Sequence, residues 1–285
     1  MIFLNRFVRT PSAIAGTSML LLLLVGVLHV SFVSAVDPFA LAFDRALLPP
    51  SDENWFGTDN FGRDIFARVM IGAIYDLRLS LICVFGPMVL GVSIGLIAGY
   101  FGGWVDAALM RTTDILWAFP FYVLVLAIVG ALGPGETNLY IAFFLVNWIG
   151  FARIARGETL LIAKLEYVEA VRLLRFSPSW IIFRHIMPNA VTPAIVYATA
   201  DVVLTVQAVA ALSFFGLGIQ PPAPEWGLLI VDSLAYMREA PWMMIFPGLA
   251  IAWVGFAFSL LGDGLAASLR PEGQSWRRCS KSDIW

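Results

Sequence analysis

The charges in this sequence stand far apart, and the stretches between them are long and apolar. Residues 13–35 contain no Asp, Glu, Lys or Arg, and 79–101 repeat the pattern. A helix needs about 20 apolar residues to cross a bilayer core. Inside lipid, only a helix or a closed barrel satisfies every backbone polar group. Runs at 115–132 and 242–261 read the same way, as does 191–215, which is broken only by Asp201 and Gln207. A shorter run at 139–149 reaches spanning length by extending to about 155. The sequence therefore predicts an all-α integral membrane protein with six transmembrane helices. Composition agrees: 60% of residues are hydrophobic and 13% charged, against about 25% charged in soluble domains. That excludes an ordinary soluble domain and a disordered chain. A net charge of −2 offers nucleic acid no basic surface.

Lysine and arginine placement sets the orientation. With the amino terminus in the cytoplasm, 13 of the 18 basic residues fall on the cytoplasmic side. Both termini are then inside. The predicted organisation is a cytoplasmic start at 1–12, a first span at 13–35 and a periplasmic segment at 36–76. A core domain with five further spans covers 77–268, and a cytoplasmic tail covers 269–285. The periplasmic segment reads as loop with short helical pieces, and 219–224 is too rich in proline for continuous helix. Trp104, Trp226 and Trp242 fit interfacial anchors. The first span has a rival reading as a signal peptide, since Val33-Ser34-Ala35 resembles a cleavage site. Its apolar stretch exceeds the 7–15 residues of a typical signal core.

The cytoplasmic loop at 155–188 carries the most information. Glu166, Glu169, Arg172 and Arg175 alternate with Leu165, Val168, Val171, Leu174 and Phe176. Val168, Val171, Leu174 and Phe176 nearly fit one helical face. Ser177-Pro178-Ser179 ends that helix and can start another, with Pro178 in its first turn. An apolar stripe here suits a helix lying on lipid or a helix docking a soluble partner, and amphipathicity alone fits both.

Glu169-Ala170-Val171, followed by Arg184-His185-Ile186-Met187-Pro188-Asn189, resembles the Glu-Ala-Ala loop of ABC importer permeases. Further segments resemble the C-type permease of the dipeptide, oligopeptide and nickel group. They are Trp55-Phe56-Gly57-Thr58-Asp59 with Gly62-Arg63-Asp64, Gly99-Tyr100-Phe101-Gly102-Gly103, Ala211-Leu212-Ser213-Phe214-Phe215-Gly216, Pro224-Glu225-Trp226-Gly227 and Leu261-Gly262-Asp263-Gly264-Leu265. The resemblance runs from about residue 7 to 271. It implies a type I ABC importer-like fold in a bacterial inner membrane. It also implies pairing with a second permease, two cytoplasmic ATPases on the paired loops, and a periplasmic binding protein. The ATPase-coupling residues implied are Val168, Glu169, Ala170, Val171, Arg172, Leu174 and Arg175, with Val168, Ala170, Val171 and Leu174 as the buried side. Peptides are the implied substrate, with nickel, glutathione or opine-like solutes as alternatives. Arg175 stands where the family's loop carries glycine. A left-handed backbone there costs a non-glycine residue about 1–2 kcal/mol.

The chain has no Gly-Lys-Ser/Thr phosphate loop; its two lysines are Lys164 and Lys281. ATP and magnesium are therefore expected on the partner ATPases, with no catalytic residue, cofactor or metal site in this chain. Asp201 is the one acid inside a long apolar stretch. Acids at that depth usually face a bundle interior or water. Two readings stand: a wall residue of the translocation path, facing a peptide amino group, or a buried contact that fixes helix packing. The competing functional reading is a self-sufficient secondary transporter or channel. That reading calls for an internal inverted repeat, broken helices at mid-membrane, or chains of intramembrane acids, and the sequence displays one acid and no visible repeat.

Overall fold

The computed structural model describes residues 6–34 and 36–269. The 269–285 tail therefore lies, past Leu269, outside the described residues. Those residues are helical apart from loops and one isolated bridge between Thr58 and Asp64. Five helical stretches are long and apolar enough to span a membrane, and a sixth crossing is bent.

α1 covers Pro11–Leu28 and continues as a π-helical turn over His29–Val33. α2 is the longest, Ile65–Phe101. Its 37 residues span about 55 Å at 1.5 Å per residue, well past a bilayer core of about 30 Å. The sequence pattern starts this span at 79 because Arg68, Asp76 and Arg78 interrupt the apolar run. The helix starts earlier because each of these charges has a partner. Arg68 lies 3.7 Å from Asp59 and donates to the Pro38 carbonyl. Asp76 accepts from the Trp226 amide at 3.1 Å, and Arg78 pairs with Glu136 at 2.7 Å. Asp64 caps the start, accepting from the Ala67 amide at 2.8 Å.

The third crossing is not one straight helix. α3, Gly103–Trp117, and α4, Phe121–Leu132, meet at 82° across Ala118–Pro120. Proline disfavours helix in the residue before it, here Phe119. The fourth crossing, Glu136–Ile162, consists of α5, Glu136–Val146, and α6, Trp148–Ile162, with Asn147 between them. Two short helices follow: α7, Glu166–Leu173, and α8, Pro178–Ile181, which runs into a π-helical turn at Ile182–Ile186. α9, Met187–Phe214, is the fifth crossing. α10, Trp226–Ser233, is short, and α11, Trp242–Leu269, is the last crossing.

α2 and α6 pack along most of α6. Three glycines at helical spacing make this possible. A Cβ on Gly91 would come 2.2 Å from the Trp148 carbonyl oxygen; one on Gly95, 2.4 Å from that of Ala152; one on Gly99, 2.7 Å from the Thr159 side chain. Small residues let helix backbones approach where lipid supplies no hydrophobic drive. Two ion pairs hold α3 on α6: Arg156 to Asp106 at 2.6 Å and Arg153 to Asp114 at 2.7 Å. α1 docks along α11, with Gly16 against the Ala257 carbonyl and Gly264 against Ala13.

Trp226 is not an interfacial anchor. It is fully buried, and its indole donates to the Val69 carbonyl at 2.9 Å. A Cβ on Gly72 would sit 2.9 Å from its ring. Glu225 caps α10, accepting from the Gly227 and Leu228 amides, both at 2.8 Å, and from Ser213 at 2.7 Å. The Pro-Glu-Trp-Gly segment thus plugs α10 into α2. The segment before α2 folds onto the same end. Asp59 takes the Arg63 side chain at 2.6 Å, Trp242 donates to the Thr58 carbonyl, and Phe56 stacks on Phe246.

Gly95→Val is expected to lower the thermal midpoint of the purified protein by several degrees, since overpacking costs about 1–3 kcal/mol. Gly157 has open space around its Cβ position, so Gly157→Ala should leave the midpoint unchanged or raise it slightly. Equal effects of the two would contradict the close-packing account.

Candidate functional site

Two places concentrate features that packing alone does not require. The first is the loop at 155–188. Val168 is fully buried in a cluster with Ile162, Ile181, Ile182 and Ile186, and Val171 packs against it. The face expected to meet a partner therefore divides. Val168 and Val171 hold α7 onto its own chain, because α8 and the end of α6 close over that side. Ala170 and Leu174, with Leu173, point the other way. Leu173 is 84% exposed and Leu174 71%, and Leu173 is the residue the sequence pattern passes over. Glu169 and Arg172 are exposed. Arg172 lies over the Tyr100 ring at 5.1 Å, so its guanidinium ties α7 to the end of α2.

The turn after α7 is strained. Arg175 has φ +58°, a left-handed backbone, and its amide donates to the Arg172 carbonyl at 3.0 Å. The position does need the conformation that glycine adopts freely. Beyond it an aromatic stack braces the loop. Phe176 lies on Trp180 with centroids 4.4 Å apart, and Trp180 meets His185 at 4.9 Å. Ser177 caps α8, accepting from the Trp180 amide, with Pro178 in the first turn. α7 is thereby a short platform, clamped on one side and apolar on the other.

The second place is a cavity of about 320 Å3 among α3, α4, α6 and α9. Its walls include Trp117, Phe119, Tyr122, Tyr197 and Leu204. Asp201 lines it and is only 4% exposed. Asn147, at the α5–α6 junction, donates to Asp201 Oδ2 at 2.6 Å and to the Cys83 carbonyl at 3.1 Å. Asn147 reads from sequence as an interhelical polar contact, which it makes, but its pairing with Asp201 is invisible there. The two are 54 residues apart, and only the tertiary packing joins them. Gln207 faces outward, away from Asp201.

The comparisons with known proteins give this geometry a family. Residues 91–271 match the family of binding-protein-dependent transport system inner membrane components. The chain is 42% identical over 226 residues to a dipeptide transport system permease protein, DppC, of Alkalihalophilus pseudofirmus, covering 79% of this chain and 74% of that one. It is 38% identical over 274 residues to a glutathione transport system permease protein, GsiD, of Pectobacterium atrosepticum, covering 96% and 91%. The Escherichia coli O157:H7 GsiD is 38% identical over 271 residues, covering 95% and 89%. This chain belongs to the family of inner membrane components of binding-protein-dependent transport systems: it is a multi-pass ABC importer permease with the all-helical type I fold.

Arg175→Gly should remove about 1–2 kcal/mol of backbone strain and return about 0.5–1 kcal/mol to chain entropy. Amide hydrogen exchange across 166–176 is then expected to slow. Faster exchange in the variant would contradict the strain assigned to this turn.

Proposed function

We propose that this permease imports short peptides, pairs with a second and different permease, and is driven by two cytoplasmic ATPases that dock on 155–188. ATP and magnesium would sit on those ATPases, and a periplasmic binding protein would deliver the substrate. The supporting observation is the division of α7. An eight-residue helix fixed to its own chain by Val168 and Val171 presents Ala170, Leu173 and Leu174 outward at helical spacing. Exposed apolar side chains on a rigid base suit a partner groove. Glu169, Arg172 and Arg175 rim that surface and would contribute charge complementarity. The match to permeases named for dipeptide and glutathione supports a peptide substrate.

In this reading ATP binding closes the ATPase pair and moves α7. The motion passes through the cluster around Val168 to α6 and α9, and then to the cavity at Asp201. ATPases can shift the inward-open and outward-open states only by binding them unequally. The domain limits fit this division of labour: 13–35 as an added span, 36–76 as the periplasmic face, and 77–268 as the translocating core. Termini on the cytoplasmic side follow from the basic residues. Asp201 then belongs to the translocation path. The cavity is flanked by exposed Trp117, Phe119 and Leu204, a side that a second permease would close.

Leu173→Asp with Leu174→Asp should release the ATPase from the co-purified complex, because neither residue supports this chain's own fold. Thermal stability of the permease should stay within a degree or two. Val168→Asp should instead destabilise the permease itself, by the cost of burying a charge without a partner. Retention of the ATPase by the double variant would overturn the docking surface proposed here.

A further inference from the structure

Asp201 is a buried acid whose chain gives it too few partners. One oxygen, Oδ2, receives the Asn147 amide at 2.6 Å. Among the described residues, no hydrogen bond reaches Oδ1, and no lysine or arginine pairs with Asp201. A carboxylate taken out of water calls for a cation or a full set of hydrogen bonds. Asn147 cannot move to supply more, since its Nδ2 is also held by the Cys83 carbonyl. Asp201 is the only acid lining the cavity. The nearby cation is already spent: Arg153 lies 4.4 Å over the Trp117 ring and pairs with Asp114 at 2.7 Å.

We propose that the cavity binds a primary ammonium group of the transported solute, with Asp201 as its carboxylate partner and Asn147 as the residue that positions Asp201. This rests on the reading of the chain as a peptide permease. The wall chemistry selects the cation. A divalent metal seeks several oxygen ligands, carboxylates foremost; beside Asp201 the described lining adds only the neutral oxygens of Asn147, Thr205, Tyr122 and Tyr197, and no acidic or His/Cys cluster forms among the described residues. Tyr122, Tyr197 and Phe121 line the same space, and aromatic faces attract an organic cation. An ammonium could come from a peptide amino terminus or from a lysine side chain, and both carry the same charge and donors.

The test uses the full importer, with its second permease, ATPases and binding protein, in proteoliposomes. Uptake is measured for a free-amino tripeptide, its N-acetylated form, and an N-acetylated form carrying one lysine. Each is supplied at a concentration that saturates the binding protein, set by a prior titration of that protein alone. Co-purification of all subunits checks that Asp201→Asn assembles. The expected result is that wild type favours the free-amino over the N-acetylated peptide, and that Asp201→Asn reduces this preference by about tenfold or more. The preference is read as the ratio of the two uptake rates within each variant, so a general loss of transport cancels, and Asp201→Glu should restore part of the preference. If the lysine-bearing peptide also responds to Asp201→Asn, the ammonium site stands and accepts side chains. If only the free amino terminus responds, the site stands and reads the peptide's end. If Asp201→Asn slows all three peptides equally, Asp201 is a packing contact and the proposal falls. If wild type carries no peptide while ATP hydrolysis responds to another solute, the peptide reading falls and takes this proposal with it.

Discussion

The structure depends on the close approach of α2 and α6. Gly91, Gly95 and Gly99 let the two backbones meet at distances no side chain would allow. Lipid gives apolar helices little reason to associate, so backbone-to-backbone packing has to supply the cohesion. That contact does more than hold a bundle together. The Cys83 carbonyl is on α2 and Asn147 immediately precedes α6, so their hydrogen bond, and with it the position of Asp201, needs the helices in register. At its other end α6 leads, through a short turn, into α7, the exposed platform.

The cavity and the platform are both built on α6. Phe151 and Ala155 on α6 belong to the same buried cluster as Val168 and Ile181. The buried cluster is the direct contact between α7 and α6. The ion pairs of Arg153 and Arg156 with α3 extend the same body sideways. The bend between α3 and α4 lies beside the cavity, and the Pro120 that produces it breaks a helix otherwise suited to pass straight through.

Much of this was legible in the sequence, and the gaps have physical causes. Apolar run length located the spans because the membrane imposes one thickness on every crossing. It misplaced the start of α2, since Arg68, Asp76 and Arg78 look like loop charges until their partners on other elements are known. It also missed the 82° bend, although Pro120 was visible. The left-handed turn at Arg175 was anticipated from the glycine it replaces. The outward face of α7 was only half legible: periodicity marks an apolar stripe but does not say which part the chain keeps for itself. Val168 went inward and Leu173 outward for that reason. Trp226 looked like an interface anchor because tryptophan is common there, while Gly72 makes room for it in the core. The Asp201–Asn147 pair is a product of packing and has no signature along the chain.

The central claim is that this chain moves its solute only as one part of an ATP-driven assembly. Uptake of a radiolabelled dipeptide into proteoliposomes tests this, with the chain reconstituted alone and with the second permease, ATPases and binding protein proposed for it. The account predicts no uptake by the chain alone, whatever ion gradient is imposed, and uptake by the assembly that requires ATP. Uptake by the chain alone, driven by a proton or sodium gradient and indifferent to ATP, would contradict it and favour a self-sufficient secondary transporter.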